Sequence, residues 1–183
     1  MYEDFTVPSR LLLLSFAPIR DHEGVIHSGE AVFLVEPLNV RVSVFVPLGE
    51  QAEEISKLEG RYVDMDIEPL GFKAFNAENP GKPLIAREPP DSETGAERYR
   101  LVGLFRIFEP EGGIFECGNL RFPLYGQMEA RNGRRFFIRD ALRIDISEVD
   151  WLERLEPDTR PAKSVWVELR RVRFYGYLME GEG

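Results

Sequence analysis

The sequence has few of the residues that catalysis and metal binding usually need. Among its 183 residues, Cys117 is the one cysteine, and His22 and His27 are the two histidines. A lone cysteine excludes an intrachain disulfide and a cysteine-based zinc cluster within this chain, and it is typical of reducing compartments. We therefore expect a cytoplasmic protein that binds no metal and no cofactor.

Motifs for nucleotide binding and nucleophilic catalysis are absent as well. The sequence contains no GxGxxG, GxxxxGK[ST] or GxSxG pattern, so neither a phosphate-binding glycine loop nor a nucleophile turn is indicated. Asp21, Glu23 and Glu30 accompany the two histidines, but their spacing matches no known metal site and is typical of a solvated hairpin tip. A binding protein is therefore expected rather than an enzyme.

Long hydrophobic runs are also missing. The apolar run Leu11–Ile19 is too short to span a bilayer, and Glu3 and Asp4 before it carry the wrong charge for a signal peptide. We interpret this run as a buried strand and expect no membrane association.

The first 70 residues combine strand patterns with one helix. The chain is rich in Phe, Tyr, Val and Ile, which favour strands. Apolar runs at 11–19 and 31–36 and strict alternation at 40–46 and 61–68 predict four strands. Apolar residues three apart between Gly49 and Leu58 predict a helix at about 50–58. Residues 1–70 are therefore predicted to form a first module in the order β-β-β-α-β.

Residues 71–97 show no regular pattern and contain many prolines, glycines and polar residues. A stretch of this length without regular structure is unusual inside one compact domain, so we interpret it as a connection between two modules. Four apolar residues indicate that parts of it pack against the protein: Phe72, Phe75, Leu84 and Ile85.

The pattern in residues 98–183 predicts a second module with the same order of elements. Strands are predicted at 99–109, at 114–130 and after a three-residue turn at 131–133, where glycine allows even-numbered apolar residues to face each other. A short helix follows at 148–156. In the last strand the apolar positions change from odd to even numbers beyond Arg170 and Arg171, which predicts a bulge.

Two modules in the order β-β-β-α-β resemble the five-stranded OB-type barrel, in which a helix lies between the third and fourth strands. The predicted fold is therefore mainly β, with two OB-like barrel modules. A single up-and-down barrel of ten strands around a ligand is the alternative, although two interposed helices count against it.

The charge is unevenly distributed. The net charge is −9, and residues 1–120 carry 11 Lys and Arg against 21 Asp and Glu, whereas residues 121–183 carry 12 against 11. An acidic chain is repelled on average by phosphate backbones, which favours a protein partner over nucleic acid.

The polar faces of the predicted strands in the second module combine arginine with aromatic rings. Arginine donates to carboxylate or phosphate and stacks on rings, and exposed rings bind bases or protein partners. We therefore predict a surface that holds a protein partner or a second copy of the chain. The residues predicted for this surface are Arg121, Tyr125, Arg135, Phe137, Arg139, Arg143, Trp166, Arg171, Arg173 and Tyr175.

Three alternatives stay open. Single-stranded nucleic acid would bind the same surface, as it does on many OB-type barrels. A metal-dependent enzyme would use the alternating carboxylates Asp64, Asp66 and Glu68, which also fit a water-facing strand. In the third alternative, the aromatic rings of this surface would cover the other module or a second copy of the chain, and the arginines would pair with the acidic residues of 1–120.

Overall fold

A computed structural model describes residues 7–78, 81–109, 112–125, 127–129, 135–137 and 163–179. These residues are mainly β-strand, with one short helix. The helix is α1 (Gly49–Ile55). The strands are β1 (Pro8–Arg20), β2 (Ile26–Val35), β3 (Val40–Val46), β4 (Tyr62–Leu70), β5 (Lys73–Asn76), β6 (Leu84–Glu88), β7 (Arg98–Glu109), β8 (Gly112–Cys117), β9 (Leu120–Tyr125), β10 (Gln127–Glu129), β11 (Arg135–Phe137) and β12 (Lys163–Leu178).

Five strands close into a ring within one ten-stranded sheet. The hydrogen-bonded order is β3-β2-β1-β4-β12, and β12 also lies parallel to β3, where Tyr175 is opposite Phe45. The last strand of the chain therefore completes a ring that the first four strands begin.

Alternating side chains fill the interior of the ring. Val42, Val44 and Val46 of β3 are fully buried, and the intervening residues face outward, as the alternation in the sequence predicts. The interior is tight beside β12, because a Cβ on Gly176 would lie 2.5 Å from Val44 Cγ1. Glycine at this position lets β12 approach β3 and β4 closely.

The remaining strands of the sheet extend from the first half of β12. That half is flanked by β5 on one edge and β7 on the other, and β7 continues to β8 and β9 while also pairing with β6. The sequence leaves open whether the two predicted modules share a sheet. The structure shows that they do, and the predicted pair of OB-like modules is not confirmed.

A bulge divides β12 between these two environments. Val167 and Leu169 are buried before the bulge and Val172 and Phe174 after it, so the inward positions change from odd to even numbers. Arg171 has a φ of 61°, and its N–H donates to Glu88 Oε1 at 2.6 Å. The predicted bulge is thereby confirmed, and it turns β12 from β7 toward β3.

Tyr99 bridges the opening between β3 and β7. It is fully buried, and its Oη accepts a hydrogen bond of 2.8 Å from Ser43 N–H, a backbone donor on the edge of β3. Its ring lies 5.7 Å from that of Phe174, which is 6.1 Å from the ring of Phe122. The core of the ring is therefore continuous with the core under β7–β9.

Polar contacts hold the β8–β9 hairpin against the ring. Ser9 Oγ donates to Arg121 O at 2.6 Å and accepts from Arg121 N–H at 2.8 Å, so one buried side chain takes the place of a strand partner. At the turn, Asn119 N–H donates to Glu36 O and Asn119 Oδ1 accepts from Glu36 N–H. The turn is therefore anchored on Glu36, the residue after β2, and the start of β9 is anchored on Ser9 of β1.

Some predicted elements differ from the observed ones. The predicted strand at 114–130 is wrong, because a two-residue turn at Gly118 and Asn119 separates β8 from β9. Gly118 has a φ of 62°, which glycine adopts without strain. The helix predicted at 50–58 ends at Ile55, and the connection 71–97 contains β5 and β6.

The register of β10 and β11 agrees with the predicted turn. Met128 is opposite Phe136, so even-numbered residues face each other, as a three-residue loop at 131–133 requires. Residues 131–133 and the predicted helix 148–156 lie outside the described residues.

Replacing Tyr99 with phenylalanine tests the bridge to β3. Tyr99→Phe leaves Ser43 N–H without its acceptor, and we expect the free energy of unfolding to fall by about 1–3 kcal/mol in urea denaturation. The matched control is Tyr62→Phe, since Tyr62 is 47% exposed and its hydroxyl donates to Glu36 in a hydrogen bond that is open to solvent. Equal effects of the two substitutions would contradict the bridging role of Tyr99.

Glycine at the bulge tests the backbone conformation of β12. Arg171→Gly removes the strain of a non-glycine residue at positive φ and keeps the N–H bond to Glu88, so we expect stability to rise by about 0.5–1 kcal/mol. Arg41→Gly, at an exposed position of β3 with ordinary φ, should instead lower stability by about 1 kcal/mol. Thermal denaturation of both variants measures this contrast, and a loss of stability in Arg171→Gly would count against the bulge.

Candidate binding surface

Half of the predicted binding surface falls where the structure gives no side-chain description. Tyr125, Arg135 and Phe137 lie in strands whose side chains are not described, and Arg139 and Arg143 lie outside the described residues. For these five residues the predicted surface stays a prediction. The structure describes the side chains of the other five: Arg121, Trp166, Arg171, Arg173 and Tyr175.

Arg121 has a structural environment. Its side chain donates from Nε and from Nη2 to Pro8 O, at 3.3 and 3.2 Å, and its Nη1 lies 3.8 Å from Glu116 Oε1. Its backbone is held by Ser9, as described above. Arg121 therefore stabilises the contact between β9 and β1, and few of its donors are left for a partner.

Trp166 lies half-buried on the outer face of β12, beside a cluster of charges. In this cluster Glu168 is only 6% exposed. Its Oε1 accepts from Arg100 at 2.8 Å and its Oε2 from Arg170 at 2.7 Å, and the Arg170 guanidinium lies 4.5 Å from the centre of the Phe75 ring. Two arginines thus neutralise a carboxylate that the strand alternation directs away from the core.

Arg171 lies in the bulge, and Arg173 and Tyr175 follow it. Arg171 is exposed, whereas Arg173 and Tyr175 are half-buried. Trp166 and Tyr175 are nine positions apart on one strand, or about 30 Å at the usual rise per residue. The predicted residues of β12 therefore cannot all contact one small ligand, and only Arg173 and Tyr175 belong to a common cavity.

That cavity, here called the junction groove, lies where β12 meets β3. The rings of Phe45 and Tyr175 are 5.1 Å apart and inclined at 55°. The volume is about 330 Å³, close to the lower limit for pockets that hold small ligands. The lining residues are Glu30, Ser43, Phe45, Thr94, Gly95, Ala96, Glu97, Arg173, Phe174 and Tyr175.

The segment between β6 and β7 forms one wall of the junction groove. Asp91 organises it, because Asp91 Oδ1 accepts from Glu93 N–H at 2.9 Å and Gly95 N–H donates to Asp91 O at 2.8 Å. At its end, the Arg98 side chain donates to Pro89 O. These hydrogen bonds hold the segment in shape, and residues 94–97 line the groove together with Ser43 and Phe45 of β3.

The junction groove carries an excess of negative charge. In the part of the chain that the structure describes, neither Glu30 nor Glu97 forms a hydrogen bond or ion pair through its carboxylate. The positive charge of Arg173 is partly offset by Asp91, whose pKa is lowered mainly by the Glu93 N–H bond and also by Arg98 and Arg173. Among the described lining residues, Glu30 and Glu97 against Arg173 therefore leave a net charge of −1.

Acidic residues also flank the groove on β4. Tyr175 is opposite Glu68 and Tyr177 is opposite Asp66. The pKa of Tyr177 is raised by burial first and then by the negative charges of Glu68 and Asp66. Burial also raises the pKa of the Asp66 carboxyl. The outer face near the groove is thus acidic on both sides of β12.

A hairpin projects from the ring next to the groove. Residues 17–27, here called the hairpin arm, are all exposed except the half-buried Ile26, because both faces of the hairpin extend beyond the core. Ile19 is 47% and Val25 59% exposed. Ala17 is opposite Glu30, so the arm begins at the edge of the junction groove.

Among the described residues, no group of three or more His, Cys, Asp or Glu side chains is arranged to hold a metal ion. Asp64, from the alternating acidic strand, lies 3.4 Å from Arg10. Asp21, from the histidine loop, accepts the N–H groups of Glu23 and Val25 and so closes the tip of the hairpin arm. The hairpin tip predicted there is confirmed.

Cys117 is fully buried on β8. Its Sγ lies 3.3 Å from Val102 O and 3.5 Å from Leu84 O, and burial raises its pKa from 9.0 to about 12. Since the thiolate is the reactive form, this side chain is unsuited to act as a nucleophile at neutral pH.

Sequence reasoning placed none of the groove residues outside β12 on the predicted surface: Glu30, Ser43, Phe45, Thr94, Gly95, Ala96 and Glu97. The alternation in β3 does place Phe45 opposite to the buried valines, which indicates an exposed ring. No signal in the sequence pairs β3 with β12, which are separated by more than 100 positions.

Comparisons of the chain with family models, curated proteins and solved structures find no match. In the described part of the chain, no helix is both long and apolar enough to cross a membrane.

Thiol labelling tests the burial of Cys117. With a pKa of about 12, only about 10⁻⁴ of the thiol is ionised at pH 8, so we expect Ellman's reagent to react about 10³-fold more slowly with the folded chain than in guanidinium chloride. The same shift in pKa predicts how stability depends on pH, because the thiol ionises near pH 9 in the unfolded chain and only near 12 in the folded one. The free energy of unfolding should therefore fall as the pH rises from 9 to 12. Rapid labelling of the folded protein at pH 8 would contradict this assignment.

Proposed function

We propose that this chain is a non-enzymatic binding protein that holds a protein partner through the junction groove and the hairpin arm. The observation that carries the proposal is the contact between the half-buried Phe45 and Tyr175 rings in an open cavity at the base of an exposed hairpin. Tyrosine is among the side chains that most often dominate protein–protein binding energy, and Phe and Tyr are both enriched at interfaces.

Exposed aliphatic side chains support a protein partner. Ile19 and Val25 on the hairpin arm and Leu48 before α1 are all about half exposed, at 47%, 59% and 49%. Gly49 lies against the backbone of Ile26 and His27, so Leu48 is close to the base of the arm. Such side chains add apolar area at an interface but offer nothing to a phosphate backbone.

We infer that the ring is a single OB-like unit rather than one of two. The first three strands, the helix and the fourth strand follow the OB order, and β12 takes the position of the fifth strand after a long insertion. In OB-type barrels, ligands bind on the second and third strands and the adjoining loops. The junction groove and the hairpin arm adjoin the corresponding strands, β2 and β3. Because a fold does not imply a function, this inference supports only the location of the surface.

Single-stranded nucleic acid is the competing ligand on such a surface. The Phe45 and Tyr175 rings would stack bases, and Arg173 would contact a phosphate. Glu30, Glu97 and the net charge of −9 oppose a polyanion, because each carboxylate beside the path of the backbone repels it. The charge distribution therefore favours a protein.

Selection from a displayed library of random dodecapeptides tests the proposal. We expect peptides that bind the wild-type chain and lose at least tenfold in affinity to Phe45→Ala or Tyr175→Ala, as measured by fluorescence anisotropy. Phe75→Ala is the matched control, because Phe75 is an exposed ring on β5 outside the groove, and it should leave affinity unchanged.

The same titrations with a fluorescent single-stranded dodecanucleotide separate the two ligands. We expect no binding at 50 mM salt. Oligonucleotide binding that falls steeply with salt and is lost in Phe45→Ala, without any selected peptide for this surface, would overturn the proposal in favour of nucleic acid.

A further inference from the structure

We propose that the junction groove receives one positively charged side chain, a lysine or an arginine, from the partner protein. This inference rests on the proposed function and specifies the chemistry of the partner. It starts from the groups that surround the groove and remain without partners in the described residues.

The groove presents the two kinds of group that attract a cation. The Phe45 and Tyr175 rings are tilted against each other at 5.1 Å, and the face of an aromatic ring attracts a cation through its quadrupole. Glu30 and Glu97 line the same cavity, and neither carboxylate is paired within the described part of the chain. Ring faces and carboxylates therefore favour the same ligand charge.

Arg173 is the group that would oppose a cation. It carries one positive charge, whereas Glu30 and Glu97 in the same lining carry two negative charges. The described lining therefore has a net charge of −1, and the adjacent Glu68 of β4 adds to the negative charge nearby.

The size of the cavity limits how much of the partner it can hold. A volume of about 330 Å³ has room for one long side chain but not for a folded element. Lysine and arginine carry a flexible apolar stem and a charged end, so the stem would contact the rings while the end reaches the carboxylates. The remaining contacts of the partner would then fall on the hairpin arm.

NMR titration with defined peptides tests this inference. The probe is a glycine–serine heptapeptide with blocked termini and a central lysine or arginine, compared with the same peptide carrying norleucine. We expect shifts of the backbone amide signals of Phe45 and Tyr175 and about tenfold tighter binding of the charged peptides.

Substitution of the carboxylates identifies the source of the preference. Glu30→Gln and Glu97→Gln should each weaken lysine-peptide binding by about threefold and leave norleucine-peptide binding unchanged. Glu23→Gln removes the same charge from the exposed tip of the hairpin arm and should have no effect. An equal loss in Glu23→Gln would show that net charge, not the groove, selects the peptide, and would overturn the inference.

The inference and the proposed function fail differently. If selected dodecapeptides depend on Phe45 and Tyr175 but the norleucine heptapeptide binds as tightly as the charged ones, the surface binds protein and the cation preference is wrong. If neither charged heptapeptide shifts these signals at 10 mM, the inference is also wrong. If no displayed peptide depends on the two rings, the proposed function itself fails.

Discussion

The backbone pairing of β12 is the constraint on which the rest of the structure depends. One strand of 16 residues, Lys163–Leu178, lies between β5 and β7 in its first half and between β4 and β3 in its second. The chain can satisfy both sets of backbone hydrogen bonds only if the strand turns between them, and the bulge at Arg171 provides that turn. Because the ring is closed by this strand, it cannot form from residues 1–70 alone, and contacts distant in sequence must form for it to close.

Local periodicity predicted the elements whose burial alternates. The valines of β3, the apolar residues of β4 and the change of parity in β12 are all read correctly from the sequence, because each strand has one face in the core. β5 and β6 were not predicted, since they are short and their pairing with β12 and β7 is set by tertiary contacts. The turn at Gly118 was missed, although the apolar positions change there from odd numbers, Phe115 and Cys117, to an even number, Leu120. A two-residue turn places odd-numbered residues opposite even-numbered ones and therefore produces this change.

The candidate binding surface was predictable only in part. Alternation indicates that Arg173 and Tyr175 point outward, but the groove also needs Phe45 and Glu30 from the first strands and Glu97 from the segment before β7. Strand order brings these residues together, and strand order depends on which edges find partners, not on the pattern within one strand. For the same reason the structural contacts of Arg121 were not foreseen: its outward position is visible in the sequence, whereas its contacts with Ser9 and Pro8 are not.

Charge and apolar area contribute different things to the proposed interface. The carboxylates of Glu30 and Glu97 lie near solvent, where each pairing with a cation gives little net free energy and is weakened by salt. The Phe45 and Tyr175 rings and the aliphatic residues of the hairpin arm offer apolar area that a partner would shield from water, and this burial would provide most of the affinity. Binding energy would therefore come mainly from apolar contacts. The choice of partner would come from the carboxylates, because they reject an acidic segment that the apolar surface would otherwise accept.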